Sequence, residues 1–279
     1  MDYAIQRLVI DAGNEAALTT AFAAVGFTAY VFSTRTDGRL DLELYGAGGV
    51  FPDAVIAALG VLGLESTEHR VASERELLAN VLDSEPCELC PGVWIDPQGT
   101  LRTSARSDGR LVLHIPPSPA FGDGHHPSTR MAASLLLTLD LAGRRVLDLG
   151  CGTGALGLIA HHRGAAAVTF SDIDEGSVRT TRETCVLNGY PQGTVIASDL
   201  LTAVPTEAAD VVVANLYADP LLLVAQDERL QAILPHGTLI VSGVAQVKRP
   251  AVEAAFTALG FTLRDAREEA WWCAMRLER

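Results

Sequence analysis

The sequence predicts an α/β protein whose larger part is a doubly wound parallel sheet, preceded by a smaller α+β domain. From Arg145 onward, short continuous apolar strands alternate with amphipathic helices, a pattern typical of strands buried on both faces. The last two strands, expected at Phe261–Arg264 and Trp271–Leu277, are too close in sequence for a crossover helix. They are therefore expected to pair as an antiparallel hairpin.

Residues 1–72 have a different order of elements. A strand is expected at residues 3–10, and Asn14 can cap the alanine-rich helix that follows. Two strands, a second helix and a last strand complete the segment. This order is that of the split βαβ, ferredoxin-like arrangement. Because these residues include no catalytic constellation, the domain is predicted to serve recognition or to form an interface.

A connector is predicted over residues 73–92, between the small domain and a larger domain at 93–279. Its first part, Ser73–Leu82, has the pattern of a polar helical turn, and Cys87 and Cys90 form a CxxC pair near its end. Such a pair can bind a metal or serve redox chemistry, but no second pair and no thioredoxin-like context accompanies it. The two thiols are interpreted as reduced linker cysteines, and no metal site is predicted.

Composition and charge limit the class of protein. Hydrophobic residues make up 48% of the 279, enough for a sizeable core, and the net charge is −13. That charge argues against a broad basic face that binds nucleic acid. No apolar run is long enough to span a membrane, and an odd number of cysteines, five, suits a reducing compartment. We expect a soluble cytoplasmic protein without direct nucleic-acid or membrane binding.

The segment RVLDLGCGTGALGL, residues 145–158, carries most of the functional information. A strand that contains Asp148 leads into Gly150, Gly152 and Gly154, and a helix follows. The glycines permit a tight turn and let a ligand approach the backbone, and the first amides of the helix point toward that ligand. This motif is shared by proteins that bind nicotinamide dinucleotides and by proteins that bind other adenosine-containing cofactors.

Polar residues also follow the next strands of the predicted sheet: Asp172, Asp199 and Asn215. Asp172 follows the glycines by about 20 residues, where a carboxylate typically accepts hydrogen bonds from a ribose diol. Both cofactor classes would use that carboxylate. Asp148 favours S-adenosylmethionine, because an acid two positions before the first glycine would lie near a sulfonium and an ammonium. The terminal hairpin favours it too, since dehydrogenases are not expected to have one.

The motifs together resemble a known family. AFGDGHHPST, VLDLGCGTGALGL, SDID, VVANLYADPL, LIVSGV and WCAM are similar to segments of the bacterial protein methyltransferases called PrmA. The resemblance is strong from Ala120 onward and extends in architecture to residues 1–72. It implies a Rossmann-like, class I S-adenosylmethionine-dependent methyltransferase sheet and a ferredoxin-like substrate-recognition domain. It also implies the activity, methylation of lysine side chains and the N-terminal amine of large-subunit ribosomal protein eleven.

The resemblance further implies roles for single residues. Asn215 and Leu216 are expected at the point of methyl transfer, where their side-chain and backbone oxygens would accept hydrogen bonds from the attacking amine. Tyr217 is expected to form a wall of that site. The residues expected to bind the cofactor belong to the loop over its methionine end, the glycine motif and the strand ends: Phe121, Gly122, Gly124, His126, Thr129, Asp148, Gly150, Gly152, Gly154, Asp172, Asp199 and Asn215.

The chain departs from the family pattern before and within this loop. Asp123 stands where the family usually has threonine, and PPSP replaces the usual DPGM. The added charge of Asp123 would attract a cationic amine. Asp123 and His126 are candidate general bases, although a structural role in the loop is favoured for both. The alternatives are a methyltransferase of another protein lysine or of a small amine and, from other classes, an NAD-dependent oxidoreductase or a binding module without catalysis.

Overall fold

A computed structural model of the chain divides into two compact units, Met1–Asp83 and Ser84–Arg279. Each unit has its own sheet and its own apolar core. The residues that the structure describes are 2–25, 27, 30–34, 37–47, 50–64, 68–73, 85–101, 109–206 and 209–279.

The first unit is a four-stranded sheet with two helices, in the order of elements expected from the sequence. Its strands lie in the order β2-β3-β1-β4, and every neighbouring pair is antiparallel. Leu8 and Leu42 are fully buried with Phe22, because alternate residues of a strand share one face. The elements are β1 (Asp2–Ile10), α1 (Glu15–Ala24), β2 (Tyr30–Thr34), β3 (Leu40–Ala47), α2 (Asp53–Val61) and β4 (Glu68–Ser73).

The connector predicted over residues 73–92 requires a correction, because its last part belongs to a three-stranded sheet at the start of the second unit. Strand β5 (Cys87–Cys90) pairs antiparallel with β6 (Val93–Ile95), which pairs parallel with β7 (Leu111–Leu113). Residues from Ser84 onward therefore cluster with the second unit, and the boundary lies after Asp83. Of the expected helical turn, Ser73 ends β4, and the rest lies outside the described residues.

The main sheet of the second unit has seven strands in the order β10-β9-β8-β11-β12-β14-β13. The first five are parallel, and β14 is antiparallel to both of its neighbours, as predicted. The strands are β8 (Arg145–Leu149), β9 (Ala167–Asp172), β10 (Thr194–Ala197), β11 (Val211–Asn215), β12 (Thr238–Ala245), β13 (Thr262–Glu269) and β14 (Trp272–Glu278). The helices are α3 (Pro127–Leu136), α4 (Ala155–His162), α5 (Glu175–Leu187), α6 (Ala218–Gln226), α7 (Arg229–Ile233) and α8 (Arg249–Ala258).

Apolar layers cover both faces of this sheet. Phe170 and Met131 belong to the core on one face, and Phe256 and Met275 belong to the core on the other. The hairpin is tighter than expected, because β13 extends to Glu269 and leaves only two residues for its turn. Within the described residues, no helix combines the length and apolar character needed to cross a bilayer.

Candidate active site

The loop between β8 and α4 is tied to the end of β9. The amides of Gly150 and Cys151 both donate to the carbonyl oxygen of Ser171, at 2.8 and 3.0 Å. The Gly152 amide donates to Oδ2 of Asp172 across 2.9 Å. Gly150 and Gly152 have φ angles of +72° and +54°, a region in which a side chain is strained. Glycine thus lets the chain double back along the carboxyl edge of the sheet.

Residues 120–126, here called the 120–126 loop, pack directly on these glycines. The carbonyl oxygen of Phe121 accepts from the Thr153 amide, and that of Gly122 accepts from the Thr153 hydroxyl, both at 2.9 Å. A Cβ on Gly152 would collide with the Phe121 carbonyl oxygen. The structure therefore brings together two motifs that were predicted to line one cofactor site.

The glycines of the 120–126 loop face the protein. Gly122 and Gly124 are buried with φ angles of +106° and +97°, and a Cβ on Gly124 would lie 2.9 Å from Cγ1 of Ile95. The three-stranded sheet thus supports the loop from behind. The side chains that alternate with these glycines are exposed: Phe121, Asp123 and His125. Asp123 pairs with its neighbour, with Oδ2 3.2 Å from Nδ1 of His125.

His126 ends the loop and caps α3. Its Nδ1 accepts from the Ser128 amide at 3.2 Å, and its ring lies edge-on to Phe121 and Trp272, with centroids 5.2 and 5.0 Å apart. Burial, with a further contribution from Arg130, lowers the pKa of His126 to about 4, so the ring is neutral at pH 7. In a neutral ring whose Nδ1 accepts a hydrogen bond, the proton is on Nε2. Neither nitrogen then has a free lone pair that could take a proton from a substrate. This supports the structural role over that of a general base.

Asn215 and Leu216 lie beside the glycine loop, at the end of β11. Nδ2 of Asn215 donates to Oγ1 of Thr129 across 3.2 Å. Its Oδ1 is buried and has no hydrogen-bond donor among the described residues. The Leu216 amide donates to the Ser242 carbonyl oxygen at 3.0 Å, and a Cβ on Gly150 would collide with the Leu216 side chain. The predicted transfer residues therefore border the first glycine of the predicted cofactor site.

The two predicted acids at strand ends differ in their surroundings. Asp172 is partly buried, and its Oδ1 and Oδ2 accept from the amides of Asp174 and Gly152 at 3.0 and 2.9 Å. A carboxylate has about four lone-pair directions, so each oxygen retains capacity for a hydroxyl group. Asp199 follows β10 with its side chain exposed. Their contacts with a cofactor stay predictions.

The amides of the glycine loop are occupied by protein acceptors. Those of residues 150–152 donate to the end of β9, that of Thr153 to the Phe121 carbonyl, and that of Gly154 to the Cys151 carbonyl. A dinucleotide cofactor needs free amides at this position to bind its pyrophosphate. The geometry therefore favours an adenosine cofactor that carries no phosphate over a nicotinamide dinucleotide.

Comparison with known proteins agrees with this geometry. The model of the family described as ribosomal protein L11 methyltransferase (PrmA) matches residues 70–279. The chain belongs to this family. Its seven-stranded α/β sheet accordingly has the class I methyltransferase fold.

Curated relatives in the PrmA family come from several bacteria. The chain is 38% identical to the ribosomal protein L11 methyltransferase of Porphyromonas gingivalis, over 60% of this chain and 57% of the relative. It is 34% identical to that of Streptococcus pyogenes serotype M6, over 79% and 70%. The ribosomal protein L11 methylase of Lactobacillus delbrueckii subsp. bulgaricus is a similar solved structure, with 26% identity, a TM-score of 0.64, and coverage of 70% of this chain and 99% of that one. The chain thus spans less than two thirds of the Porphyromonas relative.

Asp148, in the PrmA glycine motif, is more enclosed than expected. Its side chain is 1% exposed, and Oδ2 accepts from the Gly157 amide in the first turn of α4 at 2.8 Å. Burial, with Asp172 nearby, raises the pKa of the Asp148 carboxyl to about 7. The carboxyl group holds the start of α4 against β8, and its direct contact with a cofactor stays a prediction.

Gly243 was not predicted from the sequence, yet it borders Asn215 and Leu216, the predicted transfer residues. It has a φ angle of +77°, and a Cβ here would lie 2.8 Å from the Leu216 carbonyl oxygen and 3.0 Å from Oδ1 of Asn215. The pairing of β12 with β14 shifts between Val241 and Val244, so the glycine lies at a bulge. A glycine inside an apolar strand was the sequence signal that could have identified this position.

Tyr217, which is expected to form a wall of the site, is half exposed. Its ring centroid lies 6.1 Å from that of Trp272.

The CxxC pair lies on β5, so its interpretation as part of a linker is wrong. Burial raises the pKa of the Cys90 thiol to about 11, and burial with Asp123 also raises that of Cys87. Both are free thiols, and thiols with raised pKa values are weak nucleophiles. In the described part of the chain, no group of three or more His, Cys, Asp or Glu residues could hold a metal ion.

Proposed function

We propose that this protein transfers methyl groups from S-adenosylmethionine to amines of a ribosomal protein. The observation that carries the proposal is the buried, unpaired Oδ1 of Asn215 at the edge of the sheet. An unpaired buried acceptor costs about 1–3 kcal/mol, and one beside a ligand site is explained by a donor on the ligand. An amine supplies such a donor. The adjacent carbonyl oxygen of Leu216 is a second acceptor within the same site.

The residues around the glycine loop suit this cofactor. Asp172 retains capacity for two ribose hydroxyls, and the occupied amides of residues 150–154 suit a cofactor without phosphates. The 120–126 loop would cover the methionine end. When bound, S-adenosylmethionine supplies the methyl group: its S–C bond breaks with the electron pair left on sulfur as the amine lone pair forms the N–C bond, and the amine releases its proton to water.

Orientation of the amine is the main task of the protein groups. Hydrogen bonds from the amine to Asn215 and Leu216 would point its lone pair toward the glycine loop. Such positioning can contribute roughly 7–11 kcal/mol relative to the bimolecular reaction. A lysine with a pKa near 10.4 is only about one part in a thousand neutral at pH 7.4, a cost of about 4 kcal/mol, whereas an N-terminal amine loses its proton more readily. A site that desolvates the ammonium lowers this cost.

Substrate recognition is assigned to the first unit. Its order of elements and its strand order β2-β3-β1-β4 support a ferredoxin-like domain. The relatives named above are ribosomal protein L11 methyltransferases, which supports ribosomal protein L11 as the substrate. The resemblance to the PrmA family implies that lysine side chains and the N-terminal amine are the groups modified. The net charge of −13 supports recognition of the protein rather than of RNA. A ribosomal substrate implies a cytoplasmic location.

The test combines cofactor binding with methyl transfer. Calorimetry is expected to detect S-adenosylmethionine and not NADH, and labelled cofactor is expected to label ribosomal protein L11 in a ribosomal extract. Asn215→Ala should retain cofactor binding and lose roughly 100-fold or more in transfer rate, whereas Gln231→Ala, which removes an exposed amide side chain from α7, should lose little. Label on other proteins only would reject the ribosomal substrate. Unchanged transfer by Asn215→Ala would reject the assigned site.

A further inference from the structure

We infer that Arg130 is a positioning residue for this reaction, because its guanidinium holds both the 120–126 loop and the β13–β14 turn; the inference rests on the proposed function. Nη1 of Arg130 donates to the His125 carbonyl oxygen at 2.5 Å. Nη2 donates to Oε1 of Glu269, the last residue of β13. One side chain of α3 therefore joins the loop that packs on the glycine motif to the β13–β14 hairpin.

A second contact joins the same two segments. Glu269 is paired with Trp272 across the hairpin, and the Trp272 ring lies 5.0 Å from the His126 ring. Arg130 thus connects His125 of the loop to Glu269, and the ring contact connects His126 to Trp272, the residue paired with Glu269. The turn can serve as an anchor only if it is itself fixed.

The turn is fixed by the segment that follows β12. The Gln246 amide donates to the Trp271 carbonyl oxygen at 2.9 Å, and its side-chain Nε2 donates to that of Ala270 at 3.1 Å. Nη1 of Arg249 bonds to Oε1 of Glu268 at 2.5 Å. Both residues of the turn and Glu268 in β13 are therefore held by protein contacts. Arg130 connects this fixed turn to the loop through Glu269.

The position of Arg130 in the chain connects this anchor to the reacting groups. Arg130 follows Thr129, whose hydroxyl is the partner of Asn215. A shift of the first turn of α3 would therefore change both the loop and the orientation of the Asn215 amide. Lysine is expected to replace this arrangement poorly, because its three N–H groups share one nitrogen, whereas Arg130 donates to the carbonyl and to the carboxylate from two separate nitrogens in a fixed plane.

The contribution to stability is expected to be small. The side chains of Arg130 and Glu269 are 31% and 44% exposed, and ion pairs open to water stabilise a fold little. Loss of the contact should therefore appear in catalysis and in local motion of the loop rather than in global unfolding. This separates a positioning role from a structural one.

The experiment compares variants of the full chain. Arg130→Ala and Arg130→Lys should lower kcat/KM roughly tenfold, weaken S-adenosylhomocysteine binding, and speed hydrogen exchange of the amides of residues 121–126. The matched control is Arg267→Ala, which removes an arginine paired with Asp265 on the same hairpin. In Arg267→Ala, hydrogen exchange of the amides of residues 121–126 and kcat/KM should equal those of the parent protein. The double variant Arg130→Glu with Glu269→Arg should recover part of the loss of Arg130→Glu alone, since the charge pair returns but the bond to His125 does not.

The outcomes separate this inference from the proposed function. Exchange in residues 121–126 equal to that of the Arg267 control would overturn the inference, and so would an activity loss that follows a fall in Tm. A parent protein that binds no S-adenosylhomocysteine and transfers no methyl group would overturn the proposed function. Hydrogen exchange would then still decide whether Arg130 anchors the loop.

Discussion

Asn215 donates a hydrogen bond from Nδ2 to Oγ1 of Thr129 across 3.2 Å. Thr129 is 1% exposed in the first turn of α3, so the end of β11 and the start of that helix are joined by this contact. An amide that donates to Thr129 must turn its oxygen the other way. The contact therefore determines which atom of Asn215 is left for a ligand.

Thr129→Val is expected to lower kcat about tenfold, because valine keeps the shape of the side chain and removes the acceptor that orients Asn215. Binding of S-adenosylhomocysteine should change little. The measurement is steady-state kinetics combined with calorimetry. Thr138→Val, at the other end of the same helix region, removes a hydroxyl that donates to the Leu135 carbonyl oxygen and is the matched control. Equal kinetics for the two variants would show that Thr129 does not orient the amide.

Much of the second unit could be predicted from the sequence, and the reason is physical. Parallel strands that are buried on both faces consist of continuous apolar runs. The strand that contains Asp148 and the strand that ends at Asn215 could therefore be recognised from the sequence. Their carboxyl ends share one edge of the sheet. The meeting of Asn215 with the glycine loop therefore follows from the order of the elements.

Side-chain contacts between distant segments that do not share the carboxyl edge of the sheet could not be predicted. Arg130 and Glu269 are separated by 139 positions, and no local pattern marks either of them. Strand β5 could not be recognised from the sequence, because it has only four residues and a proline lies on each side of it. The burial of Asp148 could not be predicted either, because it comes from the close approach of α4, where the Gly157 amide donates to its Oδ2.

The stability of the protein is expected to fall in acid through His126. Its pKa of about 4 in the folded state lies below the unfolded value of 6.5, so the unfolded chain takes up the proton first. Stability present above pH 6.5 is lost as the pH falls toward 4, by about 2 kcal/mol between pH 7 and pH 5. Urea unfolding at both pH values measures this. His126→Asn keeps a capping acceptor and should lose less over the same interval; an equal loss would contradict the assignment.

Asp148 is expected to act in the opposite direction. Its folded pKa of about 7 lies above the usual 3.8, so the folded state holds the proton more tightly. This contribution to stability is complete below pH 3.8 and is lost as the pH rises through 7. Relative to Asp148→Asn, the parent protein should therefore lose free energy of unfolding between pH 6 and pH 8. The free energy of unfolding of Asp140→Asn, an exposed control, should change with pH as that of the parent does. If the difference between the parent and Asp148→Asn did not change from pH 6 to pH 8, the raised pKa of Asp148 would be ruled out.

Gly152→Ala should destabilise the protein more than Gly143→Ala. Both glycines have positive φ angles, +54° and +73°, so both variants carry backbone strain of about 1–2 kcal/mol. Only at Gly152 would the new Cβ collide with a backbone oxygen, that of Phe121, which adds roughly 1–3 kcal/mol. Thermal unfolding compares the two. Equal shifts in Tm would mean that the 120–126 loop moves aside without cost.

The placement of β14 between β12 and β13 has a consequence for how the chain reaches its fold during synthesis. Strand β13 emerges from the ribosome first, yet it meets the sheet only through β14. Strand β13 therefore cannot take its position in the sheet before β14 has been synthesised. The contact between Glu269 and Arg130 therefore depends on a strand that is synthesised after both residues.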